Sequence, residues 1–178
     1  MRIMSSQANR GKGFESILND VNEQYEKAGI ALIHKRPTPI KATKTKGSRV
    51  LAGYFEEKST VDYDGVYRGR AIYFEAKSTR ERTRFDLANI SNHQIEHLEK
   101  AERNGAVCFF LIEFAATHEV YLVPLATMRH YLLHAANGGR KSIPKDEFDV
   151  YAFAVERTKR AALDYLLLVD KLLGHGAA

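Results

Sequence analysis

The sequence predicts an α/β protein in which helices flank a mixed β-sheet, and three observations indicate this class. Apolar residues recur at steps of three and four over residues 9–27, which is typical of an amphipathic helix. Residues 106–114 and 119–125 are short apolar runs typical of strands, joined by a turn that contains His118. Along the whole chain the order is helix, strands, helix, strands, helix. With 178 residues, we expect one domain, residues 1–178, with a sizeable core.

The first helix, residues 9–27, is predicted to end before Gly29 and to bury one stripe of side chains. Glu15 lies beside this stripe near the helix start, where its charge also complements the helix dipole. Residues 30–33 are typical of a short buried strand. The predicted stripe consists of Phe14, Ile17, Leu18, Val21 and Tyr25.

Residues 35–49 interrupt this pattern, because they hold six basic side chains and no acidic one. Two prolines and Gly47 exclude a long regular element there. A packed core has no use for such a segment, so we expect residues 35–50 to project into solvent. The segment is either an arm that grips phosphates or a soluble linker. Its basic residues are Lys35, Arg36, Lys41, Lys44, Lys46 and Arg49.

A β-hairpin is predicted over residues 61–77, with a turn at residues 68–70 between two apolar and aromatic runs. Side chains alternate between the two faces of a strand, so Glu75 and Lys77 share one face. Asp62 begins the strand that pairs with theirs. We therefore expect two carboxylates and a lysine to converge at one end of a small sheet.

The combination of Asp62, Glu75 and Lys77 suits the hydrolysis of phosphodiesters with a metal ion. Carboxylate oxygens are ligands that Mg²⁺ prefers, and a bound metal lowers the pKa of a water ligand and neutralises charge on a phosphate. A neighbouring lysine can orient or deprotonate that water, or stabilise the transition state. The alternative is that the three side chains form the charged, solvated edge of a hairpin.

Beyond the hairpin, residues 78–86 are typical of a charged loop, with arginines at alternate positions. Residues 91–104 are predicted to form a second helix that Gly105 ends. Ser91 is a good N-cap, and Gln94 at the third helical position is suited to a capping box. The remaining predictions are inward-facing Ile95, Leu98 and Ala101 in that helix, loop arginines Arg80, Arg82 and Arg84, and helices over residues 126–136 and 161–173.

The overall charge favours a polyanionic partner, since the formal net charge is +5 and the pI is about 9.3. The single cysteine, Cys108, excludes a disulfide framework and a zinc ribbon, and its apolar surroundings predict a buried thiol in a reducing compartment. The apolar run around it is far too short to span a membrane. Residues 1–13 lack the apolar region of a signal peptide. We expect a soluble, intracellular protein.

Two pairs of histidines lie four residues apart, His93 with His97 and His130 with His134. A zinc peptidase requires His-Glu-X-X-His, whereas Glu96 is misplaced for that motif and no third ligand is evident. Surface or half-buried histidines are the favoured interpretation. The sequence has no glycine-rich phosphate-binding loop, so nucleotide hydrolysis is unsupported.

Seven ordered motifs together resemble the RecU family of Holliday junction resolvases of Gram-positive bacteria and their phages, which belongs to the PD-(D/E)XK nuclease superfamily. The resemblance extends from about Asn9 to the final helix. It implies a restriction-endonuclease-like fold, a mixed β-sheet flanked by helices with a projecting basic stalk. The motifs are Asn9-Arg10-Gly11, His34-Lys35-Arg36-Pro37-Thr38-Pro39-Ile40, Ser59-Thr60-Val61-Asp62-Tyr63, Gly65-Val66-Tyr67-Arg68-Gly69, Phe74-Glu75-Ala76-Lys77, His93-Gln94-Ile95-Glu96-His97 and Gly139-Arg140-Lys141-Ser142-Ile143.

The resemblance also implies roles for individual residues of the site. Asp62, Glu75 and the carbonyl of Ala76 would bind Mg²⁺, for which Mn²⁺ would substitute. Lys77 would be the catalytic lysine. The remaining implied site residues are Gln94, a helix residue that reaches the catalytic and metal site, and Glu15, which matches the first-helix glutamate of the superfamily. One departure is Asp64, which stands where the family has an asparagine, so metal ligation could shift by two residues along the same face.

As partners, the resemblance implies four-way junction DNA and a second copy of the chain, with a recombinase as a further candidate and no membrane. The basic stalk would enter the junction centre, and the bacterial cytoplasm is the expected location. The competing hypothesis is a non-catalytic protein that binds branched or duplex DNA. The predicted DNA-binding residues are Lys35, Arg36, Lys41, Lys44, Lys46 and Arg49 of the stalk, with Arg68 and Arg70 of the hairpin turn.

Overall fold

The computed structural model describes residues 12–55 and 60–174, which contain a six-stranded sheet with helices on both faces. The strands of this sheet are β1 (Ala31–Lys35), β4 (Tyr63–Tyr67), β5 (Arg70–Thr79), β7 (Val107–Phe114), β8 (Glu119–Pro124) and β10 (Phe153–Ala154). Two smaller sheets pair β2 (Ile40–Lys46) with β3 (Arg49–Phe55), and β6 (Arg84–Asp86) with β9 (Ser142–Pro144). The helices are α1 (Lys12–Lys27), α2 (Asn92–Arg103), α3 (Leu125–Ala136), α4 (Lys145–Tyr151) and α5 (Leu166–Leu172), with a 3₁₀ turn at Leu87–Asn89.

The main sheet has the order β1-β4-β5-β7-β8-β10. Strands β5 and β7 pair in parallel, and the other neighbouring pairs are antiparallel. This confirms the predicted mixed sheet flanked by helices. None of the helices in the described part of the chain is long and apolar enough to cross a membrane.

Alternation along the central strands divides the core into two layers. Phe109 and Leu111 of β7 face the layer under α1 and α5, while Phe110 and Ile112 face the layer under α2, α3 and α4. Cys108 lies in the second layer, where burial raises its pKa to about 12, so the predicted buried thiol is confirmed. The predicted second helix is also confirmed, with Ser91 as its N-cap and Gln94 completing the capping box.

The stripe predicted for the first helix is correct except at one position. Four of its members are buried, whereas Ile17 is 42% exposed, because a residue next to Leu18 in sequence is rotated by about 100° around the helix. Residues 9–11 of the predicted helix lie outside the described residues. The buried members are Phe14, Leu18, Val21 and Tyr25.

Strand β1 was predicted to be buried, but it forms an edge of the main sheet and buries one side chain, Ile33. Its inner face packs under α1, and its other face is not covered, so Leu32 is 47% exposed. Gly65 of β4 allows the two strands to come close, since a Cβ there would lie 2.1 Å from the carbonyl oxygen of Leu32.

No long regular element spans residues 35–49, as predicted, but the segment contains strand β2 and the start of β3, which the sequence did not predict. Strands β2 and β3 form a hairpin that pairs with no other strand, and both prolines precede it while Gly47, with φ of +60°, forms its turn. Prolines and glycine therefore flank the strands without interrupting them. The side chains from Ile40 to Tyr54 are exposed, so the hairpin projects from the domain, and its second strand continues past residue 50 to Phe55.

Two further expectations need correction, and three short elements were missed. The loop predicted over residues 78–86 contains the end of β5 and all of β6, a strand of three residues that is too short to show a periodic pattern. The final helix begins at Leu166, because Asp164 instead accepts hydrogen bonds from Thr158 and Arg160 in a turn. Short β9, α4 and β10 were not predicted.

Candidate active site

The predicted hairpin of residues 61–77 is formed by β4 and β5, and it brings the two carboxylates together. The turn at Arg68 and Gly69 has φ of +50° and +74°, which is the geometry of a tight two-residue hairpin turn. It sets the register that pairs Tyr63 with Phe74, and their rings stack at 4.7 Å. The residues just beyond this pair, Asp62 and Glu75, therefore lie opposite each other.

The two carboxylates are fixed by backbone groups as well as by register. The backbone N–H of Asp62 donates a hydrogen bond to Glu75 Oε2 at 3.1 Å. The N–H of Ala76 donates to Asp62 Oδ2, also at 3.1 Å. Each acidic side chain is thus bound to the backbone of the strand that carries the other, so their separation is set by the hairpin itself.

Glu75 is 1% exposed and has two further partners. Lys77 Nζ lies 2.8 Å from Glu75 Oε1. Gln94 Nε2 donates to the same oxygen, while its Oε1 accepts from the N–H of Ser91 at 3.0 Å. The side chain that caps α2 is therefore the one that reaches the site. The structure brings together Asp62, Glu75, Lys77 and Gln94, as the sequence predicted.

Burial raises the pKa values of both carboxylates, and the single neighbouring lysine does not offset the effect. Burial, and then repulsion from Asp62, raise the pKa of Glu75 to about 7, although Lys77 opposes the shift. The pKa of Asp62 is also raised, chiefly by burial, against the hydrogen bond from Ala76 and the charge of Lys77. Two carboxylates beside one lysine favour either a bound proton or a bound cation.

The donor set fits a hard divalent cation. Asp62 and Glu75 offer carboxylate oxygens, and Ala76 lies between Glu75 and Lys77 in β5 with a backbone carbonyl. Within residues 12–55 and 60–174, no group of three or more His, Cys, Asp or Glu side chains could hold a metal. A cation here would therefore depend on two carboxylates, a carbonyl and water, which is how Mg²⁺ is commonly held.

Glu15 lies near this site without touching Glu75. It forms an ion pair with Lys35 at the base of the projecting hairpin, and its backbone carbonyl accepts a hydrogen bond from Tyr63 at 3.2 Å. Its charge contributes to the raised pKa of Asp62. Glu15 thus connects α1, the start of the hairpin and the strand that carries the first carboxylate.

Arg36 connects the projecting hairpin to the site in a way the sequence did not predict. Its backbone N–H donates to the carbonyl of Asp62 at 2.8 Å, and its guanidinium donates to Thr60 at 3.0 Å. The guanidinium also lies 3.9 Å from Asp64 Oδ1. Asp64 therefore faces Arg36 and not Glu75. No sequence signal marks these contacts, because they join segments that are adjacent only in the fold.

Arg68 and Arg70 lie at the other end of the β4–β5 hairpin from the carboxylates. Five residues separate Arg70 from Glu75, about 17 Å along a strand. Arg68 Nε lies 3.3 Å from Asp170 Oδ1, and Arg70 donates to the carbonyl of Gly105 at 3.1 Å. The structure does not bring these two arginines together with the site.

The family model described as Recombination protein U matches residues 9–171. The Holliday junction resolvase RecU of Geobacillus sp. (strain WCH70) is 40% identical over 92% of this chain and 84% of its own length. That of Streptococcus gordonii is 39% identical over 94% and 86%. A solved structure of Hjc, a Holliday junction resolvase from Archaeoglobus fulgidus, is 15% identical over 63% of this chain and 77% of that chain, with a TM-score of 0.39.

The raised pKa of Glu75 leads to a prediction about stability in a chelating buffer. The folded-state pKa, about 7, exceeds the ordinary value of 4.5, so between these pH values the folded state binds a proton that the unfolded state has lost. Stability is therefore lost as pH rises through this window. The free energy of unfolding of Glu75→Gln, measured relative to that of wild type, should therefore be about 1 to 3 kcal/mol higher at pH 8 than at pH 4.5.

Urea unfolding of both proteins at the two pH values measures this change. Asp20→Asn is the matched control, because Asp20 is exposed on α1 and should show no such pH-dependent gain. An equal effect of Glu75→Gln at both pH values would contradict the raised pKa.

Proposed function

The chain belongs to the RecU family, and from that membership we propose that it resolves four-way DNA junctions by metal-dependent hydrolysis of phosphodiester bonds. The observation that supports this most strongly is the carboxylate pair of half-buried Asp62 and buried Glu75, held beside Lys77 at the base of a projecting basic hairpin. The mixed sheet flanked by helices fits the restriction-endonuclease-like architecture of such enzymes.

In the proposed mechanism Asp62, Glu75 and the carbonyl of Ala76 would hold Mg²⁺, which when bound would supply an acidified water and neutralise charge on the scissile phosphate. Lys77 Nζ is oriented by Glu75 at 2.8 Å, so it is placed to hold or accept a proton from the attacking water, or to stabilise negative charge. Gln94 donates to the same oxygen of Glu75 and helps to orient that carboxylate. Asp62 is fixed by the N–H of Ala76. The chain thus provides a preorganised set of groups.

The competing hypothesis is a DNA-binding protein whose carboxylates are structural. Burial of two carboxylates next to one lysine costs free energy unless a cation or proton compensates. A solvated edge would not raise the pKa of Glu75 to about 7 through burial. A purely structural role leaves this cost unexplained, whereas a metal-dependent enzyme requires such a site.

Substitution of the carboxylates provides the test of this function. In the presence of Mg²⁺ the wild-type protein should nick a labelled four-way junction, and without Mg²⁺ it should bind without cutting. Asp62→Asn or Glu75→Gln should lower the cutting rate at least about a hundredfold. Both variants should bind the junction as tightly as wild type or more tightly, because a negative charge near phosphates has been removed.

Asp64→Asn is the matched control, since Asp64 faces Arg36 and should be dispensable for cutting. If Asp64→Asn were as inactive as Asp62→Asn, the assignment of the first ligand would be wrong. Binding by the wild type without any cutting that depends on Mg²⁺ or Mn²⁺ would overturn the enzymatic function and leave the binding protein.

Paired cuts in opposed strands require two active sites, so we also propose a homodimer. A four-way junction is nearly two-fold symmetric, and one site reaches one strand at a time. The edge of the main sheet offers a surface for the second copy. Leu32 and Val66 pair across β1 and β4, and their side chains are 47% and 52% exposed next to each other. Contiguous apolar surface of this kind is typical of protein contacts.

Placing charges on this surface tests the dimer. Wild type should sediment as a dimer, and Leu32→Lys with Val66→Lys should weaken association at least about tenfold, because two lysines would be desolvated in the interface. Analytical ultracentrifugation measures the change, with circular dichroism to verify the fold. Val150→Lys, at an apolar residue 69% exposed on α4, is the control. A wild-type monomer, or a double variant that dimerises normally, would contradict this interface.

For the basic hairpin, β2 and β3, we propose that it enters the open centre of the junction. Its side chains are exposed from Ile40 to Tyr54 and its two strands form a sheet of their own within the described chain, while its base is connected to the site through Lys35 and Arg36. A linear duplex has no opening to admit it. The hairpin would then contribute selectivity for branched DNA as well as affinity.

Removing the positive charges of the basic hairpin tests its contributions to selectivity for branched DNA and to affinity. Lys41→Ala, Lys44→Ala and Lys46→Ala combined should reduce the preference for a junction over a linear duplex, and lower the slope of log affinity against log salt by up to about 3 per chain. Gel-shift titrations at several salt concentrations measure both. The three corresponding Lys→Arg changes, which keep the charge, should retain the preference. If the alanine variant kept it too, residues 35–50 would be a linker.

Two further proposals follow from family membership. The bacterial cytoplasm is the location where junctions form during recombination, and a recombinase is a candidate partner there. Both stay predictions.

A further inference from the structure

Residues 80–83, which follow strand β5, are anchored by hydrogen bonds at both ends. At the start of this segment, the carbonyl of Thr79 accepts from Ala115 at 2.8 Å, and the hydroxyl of Thr79 accepts from the N–H of Glu81 at 3.2 Å. At its end, the carbonyl of Thr83 accepts from Lys145 at 2.8 Å, after which β6 pairs with β9. A charged run that merely solvates a loop needs no such anchoring, so residues 80–83 hold a defined position.

This segment lies at the same end of the sheet as the carboxylates. Asp62 precedes the first residue of β4, and the antiparallel pairing puts that end beside the last residues of β5. From Lys77 the chain needs five residues to reach Arg82, at most about 17 Å. Consecutive phosphates of one DNA strand advance about 3.4 Å along the helix axis, so this reach corresponds to about five phosphates from a group cut at the site.

The segment also lies on the same face of the sheet as the catalytic side chains. Phe85 and Leu87 pack in the same core layer as Leu98 of α2, the helix that sends Gln94 to Glu75. Lys141 adjoins this region, because its carbonyl accepts from the N–H of Leu87 at 3.1 Å. The chain from residue 80 to the start of α2 thus forms one flank of the site, with Lys141 beside it.

Arg82 and Lys141 are two exposed cations of this flank. Both side chains are exposed, and neither forms an ion pair within residues 12–55 and 60–174. Arg84, by contrast, lies 2.9 Å from Asp86, and Lys145 lies 3.0 Å from Glu119. An exposed cation without a counterion is the kind that releases salt ions when it meets a phosphate.

We propose that Arg82 and Lys141 form a duplex-binding shoulder, which contacts the backbone of the DNA arm that leads away from the scissile phosphate. The shoulder rests on the proposed nuclease site for its place along the DNA. Its ligand is the phosphate backbone of any double helix, so it supplies affinity and register without selecting for a branch. Selection for the junction belongs to the basic hairpin, which lies elsewhere on the molecule.

The double variant Arg82→Ala with Lys141→Ala tests the shoulder by gel shift with a catalytically inactive Asp62→Asn background. It should weaken binding to a four-way junction and to a linear duplex by the same factor, about tenfold at 0.1 M salt. It should lower the salt slope by about 2 for each shoulder engaged. The junction-to-duplex preference should not change. The charge-conserving variant Arg82→Lys with Lys141→Arg should bind DNA with the affinity of the Asp62→Asn background.

The matched control is Lys100→Ala with Arg103→Ala, which removes the same charge from the opposite end of α2, near Gly105. That control should bind as the background protein does. Equal weakening by the control would show that net charge alone is responsible and overturn the shoulder, as would an unchanged slope in the shoulder variant. Weakening confined to the junction would also overturn it, because the shoulder would then read the branch. If wild type failed to cut junctions but the duplex result held, the nuclease function would fall and the shoulder would stand.

Discussion

The placement of two carboxylates in a desolvated position, with a single lysine to balance them, is the constraint on which the rest of this structure depends. The site exists because Asp62 and Glu75 lie opposite each other at the end of a tight hairpin, and each accepts a hydrogen bond from the strand of the other. The register is set by the two-residue turn and by the stacked rings of Tyr63 and Phe74, with Phe109 stacked behind at 5.0 Å. A slip of one residue would turn both carboxylates to the wrong face. The aromatic packing therefore helps to keep both carboxylates on the same face of the sheet.

Three separate segments connect to this site, and each connection has a local cause. The Gln94 side chain completes the capping box of α2 and also donates to Glu75. One side chain therefore both stabilises the helix start and orients the carboxylate. Helix α1 contributes Glu15, which pairs with Lys35. The base of the basic hairpin is attached through Arg36 to the carbonyl of Asp62. Because of these contacts, DNA held by the hairpin would lie at a fixed position relative to the catalytic groups.

The sequence was sufficient to predict the mixed sheet, the hairpin and the convergence of Asp62, Glu75 and Lys77, since strand alternation and turn chemistry are local rules. The approach of Gln94 to this site was implied only by the family resemblance. It was not sufficient for features decided by tertiary contacts. Exposure of Leu32 depends on the edge position of β1, which no local pattern encodes. The β2–β3 hairpin was missed because Pro37 and Pro39 were taken to interrupt a segment that they only precede. The contacts of Arg36 and the distance of Arg70 from the carboxylates could be read only from the assembled fold.

The central claim is that the carboxylate pair of Asp62 and Glu75 is balanced by a divalent cation when the protein acts. The most direct measurement is anomalous diffraction from crystals soaked in Mn²⁺, for wild type and for Glu75→Gln. The account predicts one anomalous peak or a close pair of peaks in wild type, within bonding distance of Asp62, Glu75 and the carbonyl of Ala76, and its loss in the variant. A peak centred on Asp64 and Arg36, or a wild-type site that stays without metal at millimolar Mn²⁺ and pH 8, would contradict it.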